Sequence, residues 1–227
     1  MTKSEVLAWL KAEQDPRGIT HWEKHAAGSG DLKSYGLGLT RLRRYAKQIG
    51  RDAKLAKVLW NTKIYDAKVI ALLIDDPKTM TVEQAETQVE ELHGGHLAHV
   101  FSSCDATLAK APFVREIAEK WIVSKDQVRK GCGYGLIYEL SKSKKKSAPD
   151  EEAFLGYIKG IEKAYPEQPV STVLAMGTAL MGIGKRSKKL HAAALAVAKK
   201  IGPIDFDPDG NCPPFDVVRH LTHKVIT

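Results

Sequence analysis

LWNTKIYDAKVIALLI at residues 59–74 and KWIVSKDQVRKGCGYGLIYEL at residues 120–140 follow one plan. Each has a Trp at a helix end, a short turn holding Lys63 or Lys125, and then a helix with basic residues in its first turns. Trp60 and Trp121 lie two units of roughly thirty residues apart, the period of paired antiparallel helices that bury their apolar faces only against neighbouring pairs. This repeat predicts an all-α chain, a curved α-solenoid in which one helix of each pair lines a concave surface. Such a surface would gather Lys68, Asp105, Arg129 and Lys130 toward one groove.

Working outward, helix signals fill the chain. Thr2 or Ser4 caps a first helix to about Gln14, with Val6, Leu7 and Leu10 inward and Asp15-Pro16 and Gly18 stopping it. A short helix at 19–27 carries Trp22, and GSGDLKSYGLGL at 28–39 reads as a surface loop. Thr40 then caps a basic amphipathic helix with Leu42, Tyr45, Ala46 and Ile49 on one face and Arg41, Arg43, Arg44, Lys47 and Arg51 crowding the others. Further helices are expected at 52–60, 64–74, 81–92, 112–123, 126–141, 152–164, 170–182 and 187–201, and no segment alternates as a strand would. A basic connector, SKSKKKSAPDE, occupies 141–151. The chain reads as a single helical-repeat domain over 1–227, with a non-repeat tail at about 203–227 whose prolines and aromatics suggest a segment laid over the last helices.

With 227 residues the chain can bury a continuous core without metal or disulfide staples. Lys and Arg outnumber Asp and Glu by 35 to 27, a formal charge of +8, which favours polyanionic partners: nucleic acid first, an anionic membrane surface second. Cys104, Cys132 and Cys212 form no CxxC pair and read as free thiols in a reducing compartment. The N-terminus has no secretory or transit pattern, and the longest apolar runs, such as 69–74, are far below membrane-spanning length. A cytoplasmic monomer with no membrane contact is expected.

HLAHVFSSCDATLAKAPF at 96–113 reads as one helix with Leu97, Val100, Phe101, Cys104 and Leu108 on its apolar face. At about 100° per residue, Asp105 falls roughly 80° from the centre of that face, beside Ala98, Ser102 and Ala109. It is the only acid between Glu91 and Glu116. A carboxylate there is either a buried hydrogen-bond acceptor or a working group.

Other motifs carry less. Gly131-Cys132-Gly133-Tyr134-Gly135 lacks the spacing of a dinucleotide fingerprint and fits close helix packing. MGIGKRS at 181–187 is no phosphate-cradling loop but a helix end followed by a basic turn. His93, His96 and His99 recur every third residue near Cys104, but Gly94-Gly95 breaks the helix that would align them, so neither metal nor cofactor is expected. The basic residues Lys68, Arg129, Lys130, Lys185 and Arg186 recur near helix starts, where backbone amides and cations suit a sugar-phosphate backbone. No zinc-finger spacing or base-stacking aromatic pattern accompanies them, so binding would be salt-sensitive and largely sequence-blind.

SYGLGLTRLRRYAKQIG, LAKVLWNTKIYDAKVIALLIDDPKTMT, FSSCDATLAKAPF and KWIVSKDQVRKG together resemble the AlkD-type DNA alkylation repair family of HEAT-like repeat DNA glycosylases, as a divergent member. The resemblance implies HEAT-like antiparallel helix pairs gripping double-stranded DNA by its backbone, and hydrolysis of the N-glycosidic bond of cationic N3- and N7-alkylpurines without base flipping. The family's Trp-Asp-x-x-Asp pattern reads here Phe101-Ser102-Ser103-Cys104-Asp105. The resemblance makes Asp105 the catalytic residue and Phe101 a substrate contact, and Thr178 stands where the family carries a second Trp. It puts a DNA-facing cation at Lys130 or Arg129. An alternative from another class is a non-catalytic helical-repeat scaffold for branched DNA, RNA or an acidic protein. In a third, the charge is only a solvated surface.

Overall fold

The computed structural model describes residues 1–25, 29–93, 95–145, 148–207 and 212–223, and among them every regular element is helical. Two isolated bridges, Lys33 with Ile64 and Ile204 with Phe215, are the only strand-like pairings there. The helices form two compact units, Met1–Val114 and Arg115–Thr227.

The first unit holds α1 (Lys3–Ala12), α2 (Pro16–His25), α3 (Leu39–Ile49), α4 (Ala53–Trp60), α5 (Tyr65–Ile74), α6 (Val82–Glu90), α7 (Gly95–Ser102) and a 3-10 turn at Thr107–Lys110. Helix α5 is its axis, because YDAKVIALLI is apolar nearly all round and only a surrounded helix can bury such a sequence. Ala67, Val69, Ile70 and Ile74 are fully buried, and α1, α3, α4 and α7 pack on them. Each buried aliphatic side chain contributes about 1.5–3 kcal/mol.

The single acid on this axis, Asp66, is fully enclosed. Its Oδ2 accepts from Tyr35 N at 2.7 Å and Ser34 Oγ at 2.9 Å, and Oδ1 from Leu37 N at 3.1 Å, so it clamps the 29–38 loop onto α5. Burial pushes the Asp66 carboxyl above its ordinary pKa, against the pull of these donors. The loop can approach so closely because Gly36 sits at φ +75°, where a Cβ would overlap Asp15 and Ile19 backbone.

Helix starts follow the expected caps at most positions. Thr2 forms a capping box with Glu5, and Asp52, Thr81, Asp126 and Ser187 accept from the amides three residues on. Three starts and stops differ. Helix α3 opens at Gly38, whose carbonyl takes the amides of Arg41 and Leu42, so Thr40 lies inside the first turn and does not cap it. Helix α1 ends at Ala12, and Asp15-Pro16 opens α2 as well as closing α1: Asp15 Oδ1 accepts from Arg17 N and its carbonyl from Ile19 N, with proline at the first helical position. The last expected residues of that helix, 26–27, lie outside the described residues.

The second unit holds α8 (Val114–Ile122), α9 (Gln127–Lys142), α10 (Glu151–Ala164), a 3-10 turn at Tyr165–Glu167, α11 (Val170–Ile183), α12 (Lys188–Ile201) and α13 (Val217–Thr222). Helices α9 and α11 form its tightest pair. Gly133 serves close packing, as its motif suggests: a Cβ there would meet Ile122 N at 2.7 Å. The tail lies on the last helices. Ile204 and Phe215 exchange backbone hydrogen bonds at 2.9 Å, and Ile204, Phe215 and Val217 cover Gly177 of α11.

Candidate functional site

The helix expected across 96–113 stops at Ser102. Cys104 and Asp105 adopt φ of +61° and +63°, the only non-glycine residues on the left-handed side among the described residues. Two consecutive L-residues in that region cost about 1–2 kcal/mol each and persist only where the surroundings enforce them. The bracing is visible. Arg43 Nη2 donates to Cys104 O at 2.7 Å, Lys110 Nζ donates to Asp105 O at 2.8 Å, and Ala106 N closes the turn on Ser103 O at 3.1 Å. His99 Nε2 approaches Cys104 Sγ at 3.4 Å. Behind the turn, Thr107 Oγ1 donates to Asp75 O and accepts from Arg51 Nη1, which anchors the following 3-10 segment to the end of α5.

The turn changes what Asp105 is. It leaves the helix shoulder and becomes an exposed side chain whose carboxylate makes no hydrogen bond or ion pair among the described residues. The groups beneath it are poorly satisfied, since Ser103 Oγ and Arg43 Nε are both buried without a partner among the described residues. Desolvation of the His99 ring, with the nearby His96 and Arg43 charges, lowers its pKa.

The same unit carries an aromatic pair, Trp22 and Tyr65. At Tyr65, at the start of α5, burial first, then Asp66 and Cys104, pushes the hydroxyl up to about 12. Trp22 of α2 sits over it with ring centroids 4.5 Å apart and planes tilted by 35°. The sequence places Trp22 on a short helix, but no local pattern pairs it with a Tyr so distant in the chain.

The other expected site residues are dispersed by function. Phe101 is fully buried, with its ring 6.4 Å from Trp60, and so packs the core where a nucleotide contact was expected; its place on the apolar face of α7 leaves no open surface. Lys68, expected in a groove, is also buried. Its ammonium lies 4.1 Å from the Trp60 ring centroid and 3.5 Å from Glu91, which accepts from Trp60 Nε1 at 2.7 Å. Burial lowers its pKa while Glu91 opposes the shift. Arg186, expected on phosphate, is exposed; its Nη1 donates to Ser141 O at 2.6 Å and Ser143 O at 2.8 Å, and its guanidinium stacks on Phe154 at 4.7 Å. Lys130 reaches Gln168 Oε1 at 2.8 Å, and Arg129 is half-buried in the first turn capped by Asp126. Thr178 is half-buried on α11, its hydroxyl turned back to Leu174 O at 2.9 Å.

One basic concavity remains in the second unit. Tyr138, Ser141, Lys142, Lys144, Gly182, Lys185 and Arg186 line a cavity of about 450 Å³. Lys142 is engaged by Glu139 at 2.6 Å, whereas Lys144 and Lys185 are exposed and pair with no acid among the described residues. In the first unit two cations of α3 behave otherwise: Arg41 pairs with Glu13, and Arg43 braces the Asp105 turn. No trio of His, Cys, Asp or Glu side chains among the described residues is arranged to hold a metal, the histidines near Cys104 included. No helix among them is long and apolar enough to cross a membrane.

The family model described as DNA alkylation repair enzyme matches residues 6–203. The chain belongs to that family. Its fold is the HEAT-like repeat fold: a solved structure described as "a new family of proteins related to the HEAT-like repeat DNA glycosylases with affinity for branched DNA structures" superposes with a TM-score of 0.81 at 23% identity, over 97% of this chain and 92% of that one. No curated protein matches. As a member of the DNA alkylation repair enzyme family, the chain carries the Asp105 turn and the basic concavity of α9 and α11 inside the matched region.

Proposed function

We propose that this chain binds double-stranded DNA through its phosphates and that the Asp105 turn is its chemical centre, hydrolysing the N-glycosidic bond of cationic N3- or N7-alkylpurines. The observation that carries this reading is an exposed carboxylate, unpartnered among the described residues, held on a strained and doubly braced turn. Loss of a cationic base leaves oxocarbenium-like charge on the sugar, and a fixed anion beside it stabilises that charge and orients the attacking water. The Trp22–Tyr65 pair supplies electron-rich ring faces for a cationic base. Lys144 and Lys185, which pair with no acid among the described residues, supply phosphate contacts whose strength falls with salt. No metal or redox group is needed for these steps.

The test is release of methylated purines from alkylated duplex DNA by purified protein, with Asp105→Asn beside it. Release above the buffer rate by wild type, lost in the variant, supports the reading; equal release by wild type, variant and buffer overturns the catalytic part.

A second reading is favoured by the burial of Phe101 and the absence of an aromatic at Thr178: a scaffold that binds DNA without cutting it. The affinity for branched DNA in the description of the similar structure supports it. Tighter binding to a four-way junction than to a duplex, unchanged by Asp105→Asn, selects this reading; no DNA binding at low salt removes both.

A further inference from the structure

Within the first unit, α4 and α6 stand apart and leave a trough of about 530 Å³ that the Asp105 chemistry does not use. Its α4 wall presents Lys54, Lys57, Trp60 and Asn61; its α6 wall presents Gln84, Thr87, Gln88 and Glu91. Spacings of three and four along both helices put each set on one face, so the walls run side by side for about two turns. They differ in charge. Lys54 and Lys57 are exposed, and neither ammonium pairs with an acid among the described residues. Across from them the α6 wall is amide, hydroxyl and carboxylate.

The decisive group is Gln88. It lines the trough, the residue is only 7% exposed, and its Oε1 has no hydrogen-bond partner among the described residues. A buried amide oxygen left without a donor is costly, and buried polar groups in folded proteins are nearly always satisfied. Three donors that line the trough are already committed. Gln84 Nε2 is committed to Asp75 Oδ2 at 2.7 Å, Thr87 Oγ1 to Glu83 O at 2.9 Å, and Trp60 Nε1 to Glu91. The terminal torsion of glutamine is soft, so Oε1 can turn toward the trough.

We propose that this trough binds a mononucleotide, its phosphate between Lys54 and Lys57 and the exocyclic amine of its base donating to Gln88 Oε1. A nucleoside monophosphate has both features at opposite ends, as the polarised walls require, and the cavity lies in the size range of small-molecule sites. An acidic peptide fits the lysines but meets repulsion from Glu91 and Asp75 on the other side. The proposal is independent of the glycosylase reading.

Isothermal titration of the full chain with AMP tests it, using adenosine, inorganic phosphate and purine riboside 5′-monophosphate, which lacks the amine, as comparison ligands. AMP is expected to bind, with each comparison ligand weaker by about fivefold or more, the loss of one hydrogen bond or of the phosphate contacts. Gln88→Met is expected to equalise AMP and the amine-free nucleotide, and Lys54→Ala with Lys57→Ala to equalise AMP and adenosine. Circular dichroism confirms that each variant is folded. Failure of AMP to bind at millimolar concentration, unchanged ligand ranking in folded variants, or binding of an acidic peptide and not of AMP overturns the proposal.

Discussion

Arg43, in the middle of α3, donates from Nη2 to the carbonyl of Cys104 at 2.7 Å, across 61 positions of sequence. A helix whose arginines look made for phosphate therefore spends one of them on holding the backbone from which Asp105 projects. Arg43→Met is expected to lower release of alkylated bases by at least tenfold, mainly through kcat, because the carboxylate loses its position and not its charge. Arg43→Lys restores the charge without the planar fork and should recover little. Single-turnover kinetics on alkylated duplex decides it; wild-type rates in both variants would show that the turn holds without Arg43.

The backbone at Asp105 ties stability against function. Asp105→Gly removes the cost of a left-handed L-residue and is expected to stabilise the protein by up to about 1 kcal/mol, offset in part by glycine's unfolded-state entropy. Asp105→Asn, which tolerates that conformation, should leave stability within about 0.5 kcal/mol. Both should abolish base release. Urea unfolding of the two variants measures the difference.

Asp66 is the opposite kind of aspartate. Asp66→Ala leaves three donors of the 34–37 loop unsatisfied and is expected to cost about 3–5 kcal/mol, read from the shift in the urea midpoint. Its raised pKa means the folded state holds this proton more tightly than the unfolded one. Its contribution therefore weakens as pH rises from the unfolded value toward the folded one.

His99 runs the other way. Its folded pKa lies below the ordinary value of 6.5, so the unfolded chain binds more protons between the two. Stability contributed by His99 is present above 6.5 and is lost as pH falls through the folded pKa. Thermal unfolding followed from pH 7.5 to 5 should show a decline in Tm that His99→Gln flattens.

Lysines that look alike in sequence separate by their partners. Lys185→Ala is expected to weaken duplex binding and reduce the slope of log K against log salt by about one, with little effect on stability. Lys68→Met should leave that slope unchanged, since its ammonium already faces Glu91 and Trp60. Fluorescence anisotropy at several salt concentrations distinguishes them.

The sequence by itself determined the all-α fold, most helix caps, the packing role of Gly133 and the tail on the last helices. These rest on local rules: apolar periodicity, capping chemistry and the exclusion of side chains where helices touch. It also singled out Asp105, from its isolation among acids. Tertiary structure decided how Asp105 is presented. Helical periodicity continues through residues 103–105, and nothing in the local pattern announces that Arg43 and Lys110 bend that backbone to positive φ. Contacts distant in sequence likewise decided that Lys68 is committed inside the protein, that Arg186 holds the end of α9 from the surface, that Phe101 is core, and that Trp22 and Tyr65 meet. A side chain's charge is written in the sequence; whether that charge is already partnered depends on which distant residue the fold brings to it.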